Sequence, residues 1–501
     1  MRTVFLRTLG IQYTGVSSLF TDILTVLSFA ELGISSAITY ALYKPVAEKD
    51  SERVASLMRF YRSAYRVVSL IVLIGGLCVV PFLDIIVKKV PDIKEPIVLI
   101  YILYVINTAV SYLFVFKSTL FTANQEHHYV SRIQIIISLT RSAVECLLLF
   151  VFHNFLVYLI FGICITWLQN ILISISADKH YPEFKSKHGK PLSKEERSGL
   201  FKNVGALMMY KVSNSLMNGC DSVIISSFIG TGWVGYISNY TLVTSKVNNL
   251  MNQFYHSATP SVGNLAVTDT ERQYSTFKIL QFMSFWMTTF CATSFIVLLN
   301  PFIEICFGAE YVRSMVIVVV LTTHFFLNSL VHPVATFRNA NGLFVQGKFR
   351  PVAMCIINIG LSVVLALWWR QSGELWGVFG VKLATVIAQL LTIQWFDPYL
   401  VYKRVFKQSL KKYYKKFFVY LSFAVCSCFA TWSAGHVFDT YLSLNPYIVF
   451  AIKLVLCLLV PNLFIFLLFR KTDEYVGFMD VLKKLLGKKR AKKKTAEISG
   501  L

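Results

Sequence analysis

Apolar residues recur along the chain in long blocks, separated by shorter stretches that hold most of the charges. A helix rises about 1.5 Å per residue, so about 20 predominantly apolar residues cross the hydrocarbon core of a bilayer. Thirteen segments meet that length: 16–40, 67–87, 97–121, 133–152, 155–176, 203–229, 234–260, 276–299, 314–335, 351–369, 375–396, 416–435 and 447–469. Lipid offers an unpaired backbone group no partner, so segments of this kind are helices rather than the short alternating strands of an outer-membrane barrel. Segments 16–40 and 234–260 are polar enough for a hydropathy window to miss.

Composition agrees with that pattern. Of 501 residues, 55% are hydrophobic and 15% charged, and the mean hydropathy is +0.59. No soluble core would hide so much apolar surface, which excludes an ordinary globular enzyme. The reading is an all-α polytopic membrane protein.

Net charge is 49 − 26 = +23, which in a soluble chain would suggest a nucleic-acid partner. Its distribution removes that idea. Alternate loops, 41–66, 122–132, 177–202, 261–275, 336–350, 397–416 and the tail 470–501, hold 35 Lys and Arg, whereas the opposite set holds seven. Basic loops stay cytoplasmic, so the C-terminal tail is expected inside the cell and no nucleic acid is expected as a partner. The basic runs around Lys403–Lys416 and Lys488–Lys494 are read as topology signals, with contact to anionic membrane lipid as the alternative. Ten cysteines lie singly in or beside apolar segments without CxxC or Cys/His spacing, so neither a metal nor a cofactor is expected. No GxxxxGK[ST] phosphate loop occurs, which argues against direct ATP use.

The two halves of the chain resemble each other at an offset of 220, which lays Leu9-Gly10 on Ile229-Gly230, Gly15 on Gly235, Ser18 on Ser238 and Thr21 on Thr241. In both copies a glycine, four residues and a second glycine lead into a long polar-tinged helix. The helix that precedes Gly230 has only nine residues available for a counterpart before Gly10. A fourteenth, largely missing first helix is therefore expected, encoded upstream of Met1. The expected organisation is an N-terminal transmembrane lobe over 1–176, a basic cytoplasmic connector over 177–202, a C-terminal lobe over 203–396, and two last helices with a basic loop and tail over 397–501.

Three stretches carry a family resemblance. The first is Arg7-Thr8-Leu9-Gly10, Tyr13, Gly15, Ala30-Glu31-Leu32-Gly33-Ile34, Ala37, Tyr40 and Tyr43-Lys44-Pro45. The second runs from Asp221 to Gly235, with Ser238-Asn239-Tyr240 and Ser261-Val262-Gly263-Asn264-Leu265. The third is Phe337 to Phe344 with Lys348-Phe349-Arg350. Together they resemble the bacterial Wzx-type polysaccharide flippases of the multidrug/oligosaccharidyl-lipid/polysaccharide exporter superfamily. The resemblance implies fourteen helices in two lobes around a central cavity in the bacterial cytoplasmic membrane. It also implies export of polyprenyl-pyrophosphate-linked oligosaccharide by alternating access, beside a polysaccharide polymerase and glycosyltransferases.

Ionisable residues inside apolar segments are costly and mark function by default. Arg141 and Lys211 lie eight residues beyond the cytoplasmic starts of their segments, about 12 Å deep, and Lys246 is placed at a similar level. A ring of these three would suit a pyrophosphate. The structural alternative pairs Arg141 with Glu145 one turn on. Segment 234–260 carries Asn239, Asn248, Asn249, Asn252, Gln253 and His256, too many polar groups for a lipid-facing helix. Asn248, Asn252 and His256 are candidate sugar contacts with Tyr240 and Tyr255 nearby, the alternative being interhelical hydrogen bonds. Asp22, Glu31 and Asp221 are candidate ion-coupling carboxylates. Lys382 and Lys453, about 10 Å from the outer surface, are expected to snorkel there.

Two other functions compete. A multidrug exporter of the same superfamily would favour buried carboxylates for cationic drugs. A membrane polymerase or glycosyltransferase would need a sizeable extracytoplasmic loop, and none of the expected ones exceeds about 14 residues.

Overall fold

The computed structural model describes residues 2–28, 41–42, 45–46, 48–87, 93–124, 126, 128–182, 192–193, 216, 219–268, 270–343, 346–441, 445–480 and 483. Among these residues there is no strand. In chain order the principal helices are α1 (Arg2–Leu9), α2 (Ile11–Leu27), α3 (Ser51–Val79), α4 (Ile97–Val115), α5 (His128–Phe152), α6 (Phe155–His180), α7 (Gly219–Phe228) and α8 (Thr231–Thr268). They continue with α9 (Thr270–Phe307), α10 (Met315–Leu330), α11 (His332–Ala340), α12 (Arg350–Trp369), α13 (Glu374–Leu391), α14 (Ile393–Val401), α15 (Leu410–Tyr441) and α16 (Pro446–Phe469).

Ten helical stretches among the described residues are long and apolar enough to cross a membrane, and each falls on one of the thirteen expected blocks. The protein is an all-α polytopic membrane protein. The three remaining blocks each differ for a reason. Block 234–260 is helical throughout as part of the 38-residue α8, but its amides and hydroxyls make it too polar for the same criterion. Block 16–40 begins in α2, and 203–229 ends in α7; their other parts lie outside the described residues, apart from Leu216. Glu31, Lys211 and most of the connector 177–202 are also outside them.

Helices run further into the basic loops than apolar blocks alone predict. Asp50 caps α3 by accepting from the Arg53 amide at 2.9 Å, so Arg53, Arg59, Arg62 and Arg66 stand on a helical extension. Lys and Arg are good helix formers, and such an end needs no apolar surroundings.

The chain packs as two compact units, the first holding 1–238 with 351–384 and the second 239–350 with 385–501. In the first unit α3 crosses α4 closely: a Cβ added to Gly76 would lie 2.6 Å from Val105. Tyr61, Tyr65, Tyr112 and Phe116 fill the core beside this pair. Helix α5 reverses the usual amphipathic order. Ile136, Leu139, Leu147 and Phe150 are exposed while Glu145 is buried, as suits a helix whose outer solvent is lipid.

The repeat is visible in the backbone of the first unit. Gly10 (φ 86°) separates α1 from α2, and Gly230 (φ 152°) separates α7 from α8, both in the region that favours glycine. Beyond them α2 and α8 cross at Gly15 and Gly235. A Cβ on Gly15 would lie 2.2 Å from the Thr231 carbonyl oxygen, and one on Gly235 would lie 2.8 Å from that of Ile11. Offsetting by 220 exchanges Ile11 with Thr231 and Gly15 with Gly235, so the crossing relates the two copies reciprocally.

In the second unit α9 packs against α10, α15 and α16. Phe285 stacks on Tyr420 at 4.1 Å, and Trp286 Nε1 donates to Asn462 Oδ1 at 2.7 Å.

Candidate functional site

Two polar centres lie within the helices of the first unit. In one, Lys382 Nζ on α13 stands 2.8 Å from Asp221 Oδ2 on α7, with side chains only 16% and 8% exposed. The next residue, Ser222, donates its hydroxyl to Asp22 Oδ2 on α2, and Asp22 is in electrostatic contact with both Lys382 and Asp221. Two predicted carboxylates, Asp22 and Asp221, thus come together through residues 200 positions apart in sequence. Helix α7 approaches α2 closely because residue 219 is glycine: a Cβ there would lie 2.1 Å from Val26 and 2.9 Å from the Asp22 carbonyl oxygen. Lys382 does not snorkel outward, since a carboxylate within reach satisfies its charge where it stands.

The other centre joins α5 to α6. Arg141 Nε donates to Glu145 Oε1 at 2.7 Å, and Arg141 Nη1 donates to Thr166 Oγ1 at 3.3 Å. Glu145 is 4% exposed while Arg141 remains 41% exposed, so the buried carboxylate, with Thr166, orients a guanidinium whose side chain is still partly open. Gly162 makes the room, because a Cβ there would lie 3.0 Å from Arg141 Nη2 and 3.2 Å from Glu145 Oε1. Helix α5 starts at His128, five residues before its expected start, which brings Arg141 to mid-helix.

The remaining predicted contacts stand on α8 in the second unit. Asn248 Oδ1 accepts from Asn328 Nδ2 at 3.3 Å and Ser329 Oγ at 3.4 Å, and lies 3.3 Å from His332 Nε2. His332 stacks on Tyr255 at 5.6 Å. Asn248 therefore ties α8 to α10 and α11. Lys246 is exposed and Asn252 half-buried, and the side chain of His256 lies outside the described ones. Tyr240 and Tyr255 are fully buried and offer no face to a sugar. Tyr240 instead donates to Asn300 Oδ1 at 2.8 Å and accepts from the Arg313 amide at 2.7 Å, pinning the α9–α10 turn.

Sequence reading missed two further features of this unit. Arg338 and Arg350 both donate to Asp397 Oδ2, at 2.6 and 3.1 Å, in a buried clamp between α11, α12 and α14. Its arginines lie in the third family stretch, but their partner is 47 or more residues away. A cavity of 480 Å³ lies among α9, α15 and α16, with Glu304, Trp432, His436 and Lys453 in its wall. Lys453 is buried against Gly435 rather than snorkelling outward.

No known protein family and no curated protein matches the chain by sequence. Similarity appears in the fold. The structure of the lipid II flippase MurJ in an inward closed conformation is similar with a TM-score of 0.64 at 15% identity, over 93% of this chain and 95% of that one. An inward-facing multidrug resistance MATE family transporter of the MOP superfamily gives 0.55 at 11% identity, over 78% and 93%. The MATE multidrug transporter DinF-BH gives 0.51 at 16%, over 80% and 90%. The chain therefore has the fold shared by these membrane transporters.

Proposed function

We propose that the chain is a transporter that moves polyprenyl-pyrophosphate-linked oligosaccharide units across a bacterial cytoplasmic membrane by alternating access, for surface-polysaccharide assembly. The observation that carries this reading is the extent of the likeness to MurJ, a flippase of lipid II, which spans 93% of the chain where the MATE structures span 78% and 80%. The sequence stretches that resemble polysaccharide flippases agree with it. Arg141 supports a pyrophosphate ligand, because Glu145 and Thr166 orient its guanidinium while 41% of the side chain stays exposed. Lys211 and Lys246 are proposed to complete that cationic set, and Asn252 and His256 to meet the sugars. Asp22 and Asp221, with Glu31, are proposed to couple export to an ion gradient. The basic tail is proposed to lie in the cytoplasm, and the polymerase and glycosyltransferases of the same assembly are proposed partners.

The MATE structures favour a second reading, export of cationic drugs. Such cargo needs available carboxylates, whereas Glu145 is engaged by Arg141 and Asp221 by Lys382. Deleting the gene distinguishes the two. Loss of surface polysaccharide with lipid-linked units accumulating inside the cell is the expected result. Unchanged polysaccharide with raised sensitivity to a cationic dye would replace the first reading by the second.

A further inference from the structure

An ion site built from two carboxylates inside a membrane ordinarily collects a cation from solution, since neither charge is tolerable there alone. In the first unit a cation is already supplied by the chain. The Lys382 ammonium stands 2.8 Å from Asp221, nine residues into α13, and acts electrostatically on Asp22 as well. We infer that Lys382 is a tethered counter-cation that fills the place of a metal ion between Asp22 and Asp221, making this site sodium-independent and leaving the proton as the ion it exchanges. This deepens the coupling role proposed above for the same carboxylates and rests on that reading.

Charge and packing support the assignment. With both carboxylates ionised the trio carries a net charge of −1, and one proton on the carboxylate not paired with Lys382 makes it neutral. That carboxylate is Asp22, which is held by the Ser222 hydroxyl rather than by an ammonium. Cys220 also acts electrostatically with Asp221, and a thiol supplies no counter-charge for a carboxylate. A lysine stem is long enough to reach and leave Asp221 as helices shift, and its ammonium cannot diffuse away. A metal ion entering beside it would meet a like charge.

Thermal denaturation of the purified full chain tests this without any transport substrate, so its outcome is independent of the export assay. NaCl is titrated against choline chloride at constant ionic strength. The wild type is expected to melt at the same temperature in both salts, whereas Lys382→Met, which vacates the cation position, is expected to show a saturable rise with sodium. Lys382→Arg should behave as the wild type, and Asp221→Asn/Lys382→Met should lose the sodium effect. Saturable stabilisation of the wild type by sodium overturns the inference, as does a folded Lys382→Met protein that ignores sodium. If Lys382→Met does not accumulate, membranes prepared in each salt decide: recovery in sodium alone supports the inference, and equal loss in both overturns it.

Discussion

Gly15 and Gly235 occupy equivalent places in the two copies of the repeat and meet where α2 crosses α8. Each lies under a carbonyl of the opposing helix, so neither side has a flexible group that could yield. Gly15→Val is therefore expected to force the helices apart, at about 1 to 3 kcal/mol for overpacking. Gly360, in α12, has nothing within 4 Å of an added Cβ, and Gly360→Ala should be neutral or stabilising. Melting temperatures of the two variants in detergent check the contrast; equal loss in both would mean that the crossing is not tight.

Arg141 and Glu145 are expected to behave asymmetrically. Arg141→Gln removes a charge-assisted contact to the proposed pyrophosphate, worth about 1.5 to 3 kcal/mol, or roughly ten- to a hundredfold in affinity. Glu145→Gln leaves the cation and loosens its orientation, so a smaller loss is expected. Export of lipid-linked units is measured for each single variant and for the double replacement. Restored export in the double variant would assign both residues to a purely structural pair.

These contrasts show where sequence is informative. The spans are legible because lipid demands long uninterrupted apolar helices, and α8 is recognised only by tolerating its amides. Arg141–Glu145 is legible because one helical turn brings residues four apart together. Lys382–Asp221 is not, since 161 residues separate the partners and each looks like an isolated charge in its own segment. A lysine in the middle of an apolar helix with no acid within a turn is the available signal, because it requires a partner from another helix. At Asn248 the polarity is plain in the sequence but the partners are not, and its bonds to Asn328 and Ser329 turn a proposed sugar contact into a tie between helices.

Asp397 should be the most sensitive charged residue of the second unit. Its side chain is 1% exposed and it receives both Arg338 and Arg350, themselves buried. Asp397→Asn leaves two guanidinium groups on a neutral amide, and breaking a buried pair in this way costs about 3 to 5 kcal/mol. Lys117→Met removes a partner of Asp178, whose side chain is 45% exposed, and about 1 kcal/mol or less is expected there. Chemical denaturation of both variants in detergent gives the ordering, and comparable losses would contradict it.

Lys416 and Glu474 give the protein a pH dependence whose sign follows from their geometry. Glu474 follows the end of α16, outside the membrane-spanning segment, and accepts from Lys416 Nζ near the start of α15. Burial alone would raise its carboxyl pKa, but the Lys416 hydrogen bond and charge, with Lys278 further off, outweigh burial and hold it below the ordinary 4.5. A carboxylate with a depressed folded-state pKa binds fewer protons folded than unfolded. Its contribution is therefore fully present above the unfolded value and is lost as pH falls through the folded one. The gap in melting temperature between wild type and Glu474→Gln should be constant above about pH 5.5 and close progressively below pH 4.5. Lys416→Met should remove most of this acid-side slope, because burial is then opposed only by Lys278 and a backbone hydrogen bond. A gap that widened on acidification would show that burial dominates and that the ion pair does not anchor the end of α16 to α15.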